Sequence, residues 1–367
     1  MFTPLPRLFC MQILRVLFVT TSMATGTVMA DLAKDEQVIF FPTAAFMNDG
    51  QSHWHIPIHG WVFEPAKSRF RKRGIAKLIE RKYGLSVTQE SQPYFDSRVG
   101  YFLVDNERGK RLDIIIGNHS YSLNKSKPNG HFHTELIIPV HEVEESKDQG
   151  VLRFKLVMKS YDNRSFGGYA QLIENTGLSI VSDIDDTVKY SFVNDRQKLL
   201  ESSLFNQYEA VPGMADLYQD LARDRSAKFH FVSSSPWHLY PSLSEFFDTA
   251  GFPAATYSLK KVRLKDKTIL DLFKKGTETK PEQIEPLLNR YPQRQFILIG
   301  DNGEQDPQVY AELASRYGDQ IVKILIRNVQ HGSETPAATT KRIQTIFSEL
   351  EASKWQLFNS ADEIRID

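Results

Sequence analysis

Leu178-Ser179-Ile180-Val181-Ser182 is a short, largely apolar run that ends in Asp183, Asp185 and Asp186. Apolar residues at consecutive positions place side chains on both faces of a strand. Such a strand must be covered from both sides, as in the middle of a parallel sheet. The acidic end constrains the chain further. Three neighbouring carboxylates repel one another, and burying them is costly unless a cation neutralises them. A hard divalent ion takes oxygen ligands, and Mg²⁺ suits a site with few carboxylates and a phosphate. Asp183 and Asp185 are two apart, so in extended backbone they share a face. One can attack a substrate while the other handles a proton.

From Gly177 onward, strand-like and helix-like segments alternate, which predicts a parallel sheet with helices on both faces. The strands are expected at Lys228–Val232, Gln295–Ile299 and Ile321–Ile326. The helices are expected near 195–208, 214–223, 281–291 and 341–350. Chemistry-bearing residues fall where strands end, the place where such sheets bind ligands. Ser233 follows the second strand. Gly300-Asp301-Asn302-Gly303-Glu304-Gln305-Asp306 follows the third, with glycines that permit a tight turn. Lys280 precedes Pro281, a residue suited to the first helical turn.

Asp183-Ile184-Asp185-Asp186-Thr187, Ser233, Lys280 and the Asp301/Asp306 turn occur in the order of the four motifs of the haloacid dehalogenase superfamily, which they resemble. The longer wording through Val188-Lys189, with Ser233-Ser234-Ser235-Pro236-Trp237, is similar to the actin-patch-protein-type phosphatidate phosphatases, relatives of the lipins. Ser234 stands where relatives often carry Asn. The resemblance implies a Rossmann-like α/β catalytic domain and a Mg²⁺-dependent phosphoric monoester hydrolase that releases diacylglycerol from phosphatidate. It implies Asp183 as nucleophile, Asp185 as acid and base, and Thr187 as the residue positioning the turn. Ser233 and Lys280 would bind phosphoryl oxygens. Asp183, Asp185 (through its carbonyl), Asp301 and Asp306 would serve the metal. Two alternatives stay open: another phosphomonoester as substrate, or a module that binds phosphatidate without turnover.

The segment 31–176 is expected to be a β-rich, immunoglobulin-like sandwich preceding the catalytic domain at 177–367. Its strands are read at Gln37–Phe41, His53–Phe63, Ser97–Val104, Leu112–Ile116, Gly130–Ile138 and Val151–Met158. Arg69–Lys82 reads instead as a basic amphipathic helix, whose polar face is either simply solvated or laid on an anionic bilayer. His53, His55, His59, His131 and His133 read as structural or surface histidines. Lys260, Lys261, Arg263, Lys265 and Lys267 form a second basic run, with Trp237, His238 and Tyr240 as candidate interfacial aromatics. Lys+Arg and Asp+Glu are both 45, so nothing global draws the chain to nucleic acid.

Residues 1–30 read as a secretory signal peptide cut after Ala30, with Met1 or Met11 as the start. Cys10 is the only cysteine, so the remainder makes no disulfide. The periplasm is the expected address. No later run is long enough to span a membrane.

Overall fold

The computed structural model describes residues 30, 32–48, 50–260, 280–329 and 334–366. The leader reading, apart from Ala30, lies outside them. So do Lys261, Arg263, Lys265 and Lys267 of the basic run.

The amino-terminal sheet contains β1 (Gln37–Phe41), β2 (Thr43–Met47), β3 (His53–Glu64), β4 (Asp105–Asn106), β5 (Asp113–Ile116) and β6 (His119–Ser122). It continues with β7 (His131–Pro139), β8 (Lys147–Asp148), β9 (Val151–Leu156) and β10 (Gly167–Leu172). Its path runs β1-β3-β2-β10-β9-β5-β6, with β4 and β7 also on β3, and β8 on β9. Only β2 and β10 pair in parallel. The backbone of β3 is paired with β7 from His53↔Pro139 to Trp61↔His131. Along β3, Trp54, Ile56 and Ile58 are buried while His53, His55 and Pro57 are half-buried, the period of two expected of a strand. Gly60 lies opposite Phe132, and a Cβ there would come within 2.2 Å of the Phe132 ring, so no larger residue fits.

Two helices follow β3: α1 (Arg69–Tyr83) and α2 (Gln92–Phe102). The second corrects the strand expected at Ser97–Val104. Val99, Tyr101 and Leu103 alternate and so mimic a strand. The buried positions are instead Phe95, Arg98, Val99 and Phe102, a helical spacing that opens with Pro93 in the first turn. Strands β2, β6 and β10 carry too few apolar residues in alternation to stand out in the sequence. A short helix, α3 (Val140–Ser146), leads into β8.

The carboxy-terminal sheet holds β11 (Leu178–Ser182), β12 (Lys228–Pro236), β13 (Ala255–Lys260), β14 (Gln295–Asp301), β15 (Ile321–Arg327) and β16 (Trp355–Phe358). All are parallel, in the order β13-β12-β11-β14-β15-β16. Its helices are α4 (Arg196–Leu204), α5 (Met214–Arg225), α6 (Tyr240–Thr249), α7 (Lys280–Arg290), α8 (Asp306–Arg316) and α9 (Pro336–Ile346). The last begins earlier than expected, because Thr335 caps it and Pro336 occupies its first turn. Two cores cover the sheet. Ile180, Phe229, Phe231 and Ile297 pack with α5 and α6. Val181, Phe296 and Leu298 pack with α7, α8 and α9.

The two halves share the first of these cores. Phe41, Trp61 and Phe63 from the amino-terminal sheet, with Ile79 of α1 and Phe95 and Val99 of α2, join Leu200, Leu204 and Trp237. Phe41 and Trp237 have ring centroids 4.4 Å apart, and Phe102 stacks on His238 at 4.9 Å. Trp237, His238 and Tyr240 are all buried, which corrects their reading as interfacial aromatics. They join the halves. Among the described residues, no helix is long and apolar enough to cross a membrane.

Candidate active site

Strand order brings the acidic residues together. After β11 the chain adds β12 and then β13 on one side, and returns to add β14 on the other. The crevice beyond the carboxyl ends of β11 and β14 is therefore the switch point of the sheet. Ser182 is in register with Ile299, and the Asp183 amide donates to the Ile299 carbonyl at 2.9 Å. Asp183 and Asp301 thus end adjacent strands. Tyr310 of α8 donates to the same Ile299 carbonyl at 3.1 Å and braces it.

Asp183, Asp301 and Asp306 are fully buried, and each offers a carboxylate oxygen within 4.8 Å of the others. Lys280, the first residue of α7, is the cation facing them. Its Nζ lies 2.9 Å from Asp183 Oδ1 and 3.0 Å from Glu304 Oε2, and it also pairs with Asp306. Asp183 Oδ1 is close to Lys280 yet has no aligned hydrogen bond, so that contact is an ion pair only. Thr187 Oγ1 donates to Asp183 Oδ2 at 3.2 Å. The Asp301 Oδ1 atom accepts from the Gly303 amide at 2.6 Å and from the Glu304 amide at 3.3 Å. Its Oδ2 atom is buried with no partner.

One lysine cannot balance this set. Burial pushes the Asp183 and Asp301 carboxyls well above the usual carboxylate range; the charge of Lys280 opposes the rise, and the neighbouring acids add to it. Burial likewise raises Asp306. Burial works against the charge on Lys280, but Asp183, Asp306 and Glu304 outweigh it and hold the ammonium above its normal range.

Asp185 is also buried but stands in a different environment, outside the three-carboxylate group. Lys189 Nζ lies 3.0 Å from its Oδ1. Ser191 donates to Oδ1 at 2.7 Å, Ser233 to Oδ2 at 3.0 Å and Ser235 to Oδ2 at 2.9 Å. Burial alone would raise its pKa, but Lys189 and these hydroxyls override burial and hold it at about 2. Two carboxylates two positions apart thus have opposite electrostatic surroundings. Asp186 does a third job. It adopts positive φ, 57°, and its carboxylate accepts from the amides of Ser191 and Phe192, each at 2.8 Å, and of Val193 at 2.7 Å. Arg327, at the end of β15, donates to the Asp186 carbonyl at 2.7 Å.

The residues expected from the sequence fall into two groups. Asp183, Thr187, Lys280, Asp301 and Asp306 converge. Asp185 and Ser233 converge beside them, with the Ser233 hydroxyl engaged by Asp185. Ser191 has no signal in the sequence, and Asp186, Lys189, Ser235 and Glu304 lie within the motifs without a role that the motifs assign. Lys189 follows Asp185 by four positions, a spacing that signals contact only if the backbone turns there. The positive φ at Asp186 supplies that turn.

A doubly wound α/β sheet with an acidic switch-point crevice and two buried lysines, Lys189 and Lys280, defines the class. Residues 178–328 match the family described as phosphatidate phosphatase APP1, catalytic domain. That part of the chain is similar to this family. Phosphatidate phosphatase APP1 of Saccharomyces cerevisiae is 28% identical over 161 residues, covering 43% of this chain and 27% of that protein. An uncharacterized protein of Schizosaccharomyces pombe is 30% identical over 206 residues, covering 54% of this chain and 33% of that protein. The chain spans about a third or less of the length of these curated relatives. A solved carbohydrate esterase chain aligns over 87% of this chain at a TM-score of 0.21 and 9% identity, too loosely to carry an argument.

Proposed function

We infer that the chain is a phosphatidate phosphatase of haloacid dehalogenase type that uses Asp183 as nucleophile and requires a divalent cation. The observation that carries this reading is the pairing of unlike carboxylates at one strand end. Asp183 faces Lys280 and two further acids, whereas Asp185 is held ionised by Lys189 and hydroxyls. The family match and the relatives above support the substrate class. The β-rich half is read as a sandwich domain preceding the catalytic one, and the leader-like segment as an export signal to the periplasm.

The residues present fit a hard cation. Every donor in the cluster is a carboxylate oxygen, and the Asp301 Oδ2 atom is buried without a partner. Asp183 and Asp301 would hold Mg²⁺, with the Asp185 carbonyl, and Asp306 would back them through Lys280. Such an ion supplies charge neutralisation and alignment of a phosphoryl group.

Asp183 attacks phosphorus in line and becomes the aspartyl phosphate. Lys280 neutralises Asp183 at rest and phosphoryl oxygens afterwards. Ser233 turns its hydroxyl from Asp185 to the phosphoryl group. Asp185 takes up a proton from solvent as substrate binds, gives it to the departing alkoxide, and then accepts a proton from the water that attacks the aspartyl phosphate. Its present contacts favour the last task. The first requires substrate to draw Lys189 or a hydroxyl away from it. Thr187 holds Asp183 at the attacking angle.

The test is phosphate release from phosphatidate in mixed micelles, with Mg²⁺ or with chelator, for the wild type and Asp183→Asn, beside a soluble aryl phosphate. Metal-dependent turnover of the lipid, lost in the variant and faster than the soluble ester, is the expected result. Turnover of the soluble ester alone removes the lipid assignment. Tight phosphatidate binding without turnover removes the enzyme.

A further inference from the structure

The helix α1 divides its residues cleanly. Ile75 and Ile79 turn inward, and Ile79 is completely buried in the core that joins the two halves. On the opposite side, Arg73, Lys77 and Arg81 recur every four residues and are exposed. Phe70 lies in the same stripe and is 83% exposed, the most exposed large hydrophobic residue among those described. The three cations form no ion pair among the described residues, whereas Lys72, on the inner edge, is tied to the Asp96 carbonyl at 2.7 Å.

Helix stability accounts for Arg81, which lies in the last turn where the helix dipole favours a cation, but not for Arg73 and Lys77 or for the charge at the other end. The first turn of α1 contains Arg69 and Arg71 and no acid, although a helix amino terminus favours anions. Nor does the core account for Phe70. A groove of about 530 Å³ runs beside the stripe between α1 and α2, rimmed by Arg69, Arg73 and Lys77. Lys72, Glu80 and Asp96 also line it, so its floor is mixed in charge. Its size suits a small polar head group.

The helix is joined to the site. Arg196, which opens α4, donates from Nε to the Tyr83 hydroxyl at the end of α1, at 2.7 Å. The loop just before α4 contains Ser191, which holds Asp185, and Phe192, which is 46% exposed. Helix α2 grips the other end of α4. Buried Arg98 donates to the carbonyls of Asn206 at 2.7 Å and Ser203 at 3.2 Å.

We propose that the Phe70/Arg73/Lys77/Arg81 face of α1 is the surface on which the protein docks to an anionic lipid bilayer. A row of cations around a protruding aromatic complements a negatively charged interface: the ring enters the head-group layer and the cations meet the lipid phosphates. A polyanion in water would attract the cations but has no layer for Phe70 to enter. The docking deepens the phosphatase reading, and rests on it only for the purpose docking serves. It brings α4 and the loop bordering Asp185 to the interface where a lipid phosphate resides.

The test is flotation of the full chain with vesicles of phosphatidylcholine alone or with phosphatidylglycerol, whose head group is anionic but not a substrate monoester. Binding to the anionic vesicles only, weakened by salt, is expected. Each cation contributes roughly fivefold near such a surface, so Arg73→Glu/Lys77→Glu/Arg81→Glu should weaken binding by about a hundredfold or more. Phe70→Ser should weaken it severalfold on its own. Both variants should keep wild-type turnover of the soluble aryl phosphate, which excludes misfolding. Equal binding to neutral vesicles, or anionic binding unmoved by the triple reversal, overturns the proposal. So does retention on duplex DNA as tight as on vesicles and indifferent to Phe70→Ser. Loss of aryl phosphate turnover in a variant assigns that variant's binding loss to misfolding and counts against the surface. Vesicle binding by a wild type that hydrolyses neither substrate sustains the docking surface and removes the phosphatase reading.

Discussion

Replacing Asp183 by Asn should inactivate the protein and, without metal, stabilise it. The structure supplies the terms. Oxygens of Asp301 and Asp306 approach Asp183 to 4.8 Å or less, and Lys280 lies 2.9 Å from it. At an effective dielectric constant of about 20, the two acids together repel Asp183 by about 7 kcal/mol and Lys280 attracts it by about 6 kcal/mol. The near-balance leaves the desolvation of a fully buried carboxylate, several kcal/mol, uncompensated. Proton uptake by the cluster relieves part of this, as the raised carboxyls show. Asn keeps the shape and can still accept from Thr187. A gain of about 1–3 kcal/mol should remain. Urea unfolding in chelator at neutral pH measures it, beside phosphate release. Saturating Mg²⁺ should then reverse the ranking, because a cation that binds only the fold stabilises the wild type more when its ligand is intact. Most substitutions of buried residues destabilise, so a stabilising one is discriminating. A loss of more than about 1 kcal/mol in chelator, or turnover retained in the variant, would refute the electrostatic account of the site.

Three other perturbations test its supports. Asp186→Ala leaves the amides of Ser191, Phe192 and Val193 without their acceptor, so stability should fall by about 2–4 kcal/mol and those amides should exchange faster; unchanged exchange would remove Asp186 as the anchor of this loop. Arg98→Met strips the Asn206 and Ser203 carbonyls of their donor and Tyr208 of the guanidinium 3.7 Å above its ring. A loss of about 2–4 kcal/mol in urea unfolding is expected, and under 1 kcal/mol would count against α2 as a clamp on α4. His230 bonds Ser179 at 3.1 Å and Thr256 at 2.8 Å, and burial pushes its pKa down to about 3. The folded imidazole stays neutral while the unfolded one protonates below about pH 6.5, so its contribution is complete above that pH and is lost as pH falls. Between pH 7.5 and pH 5 this amounts to about 2 kcal/mol, and His230→Asn should flatten the stability profile by that amount; an unchanged slope would show that His230 is not kept neutral.

The acidic strand end, Ser233, Lys280 and the Asp301 turn were legible because their signals are local. A buried strand reads as consecutive apolar residues, and the next few residues lie at the carboxyl edge of the sheet. Helix α2 misled for the same reason. Over a few residues, Val99, Tyr101 and Leu103 satisfy a period of two while the buried set satisfies a helical one. Only packing against Leu204 and Phe205 separates the two readings. Trp237 and His238 likewise read as surface aromatics until the amino-terminal sheet covers them.

The sequence by itself determined which side chains end strands β11, β12 and β14, and that a parallel sheet contains them. The tertiary structure alone decided their company. Placing β14 directly beside β11 joins Asp301 to Asp183, and the start of α7 delivers Lys280 among four acids. The left-handed turn at Asp186 folds Lys189 and Ser191 back onto Asp185. Two carboxylates two residues apart are chemically alike in the chain. Burial beside other acids disfavours the charge of one, and a lysine with three hydroxyls stabilises the charge of the other. Charge stabilisation depends on distance in space, and sequence spacing does not encode it once the backbone turns.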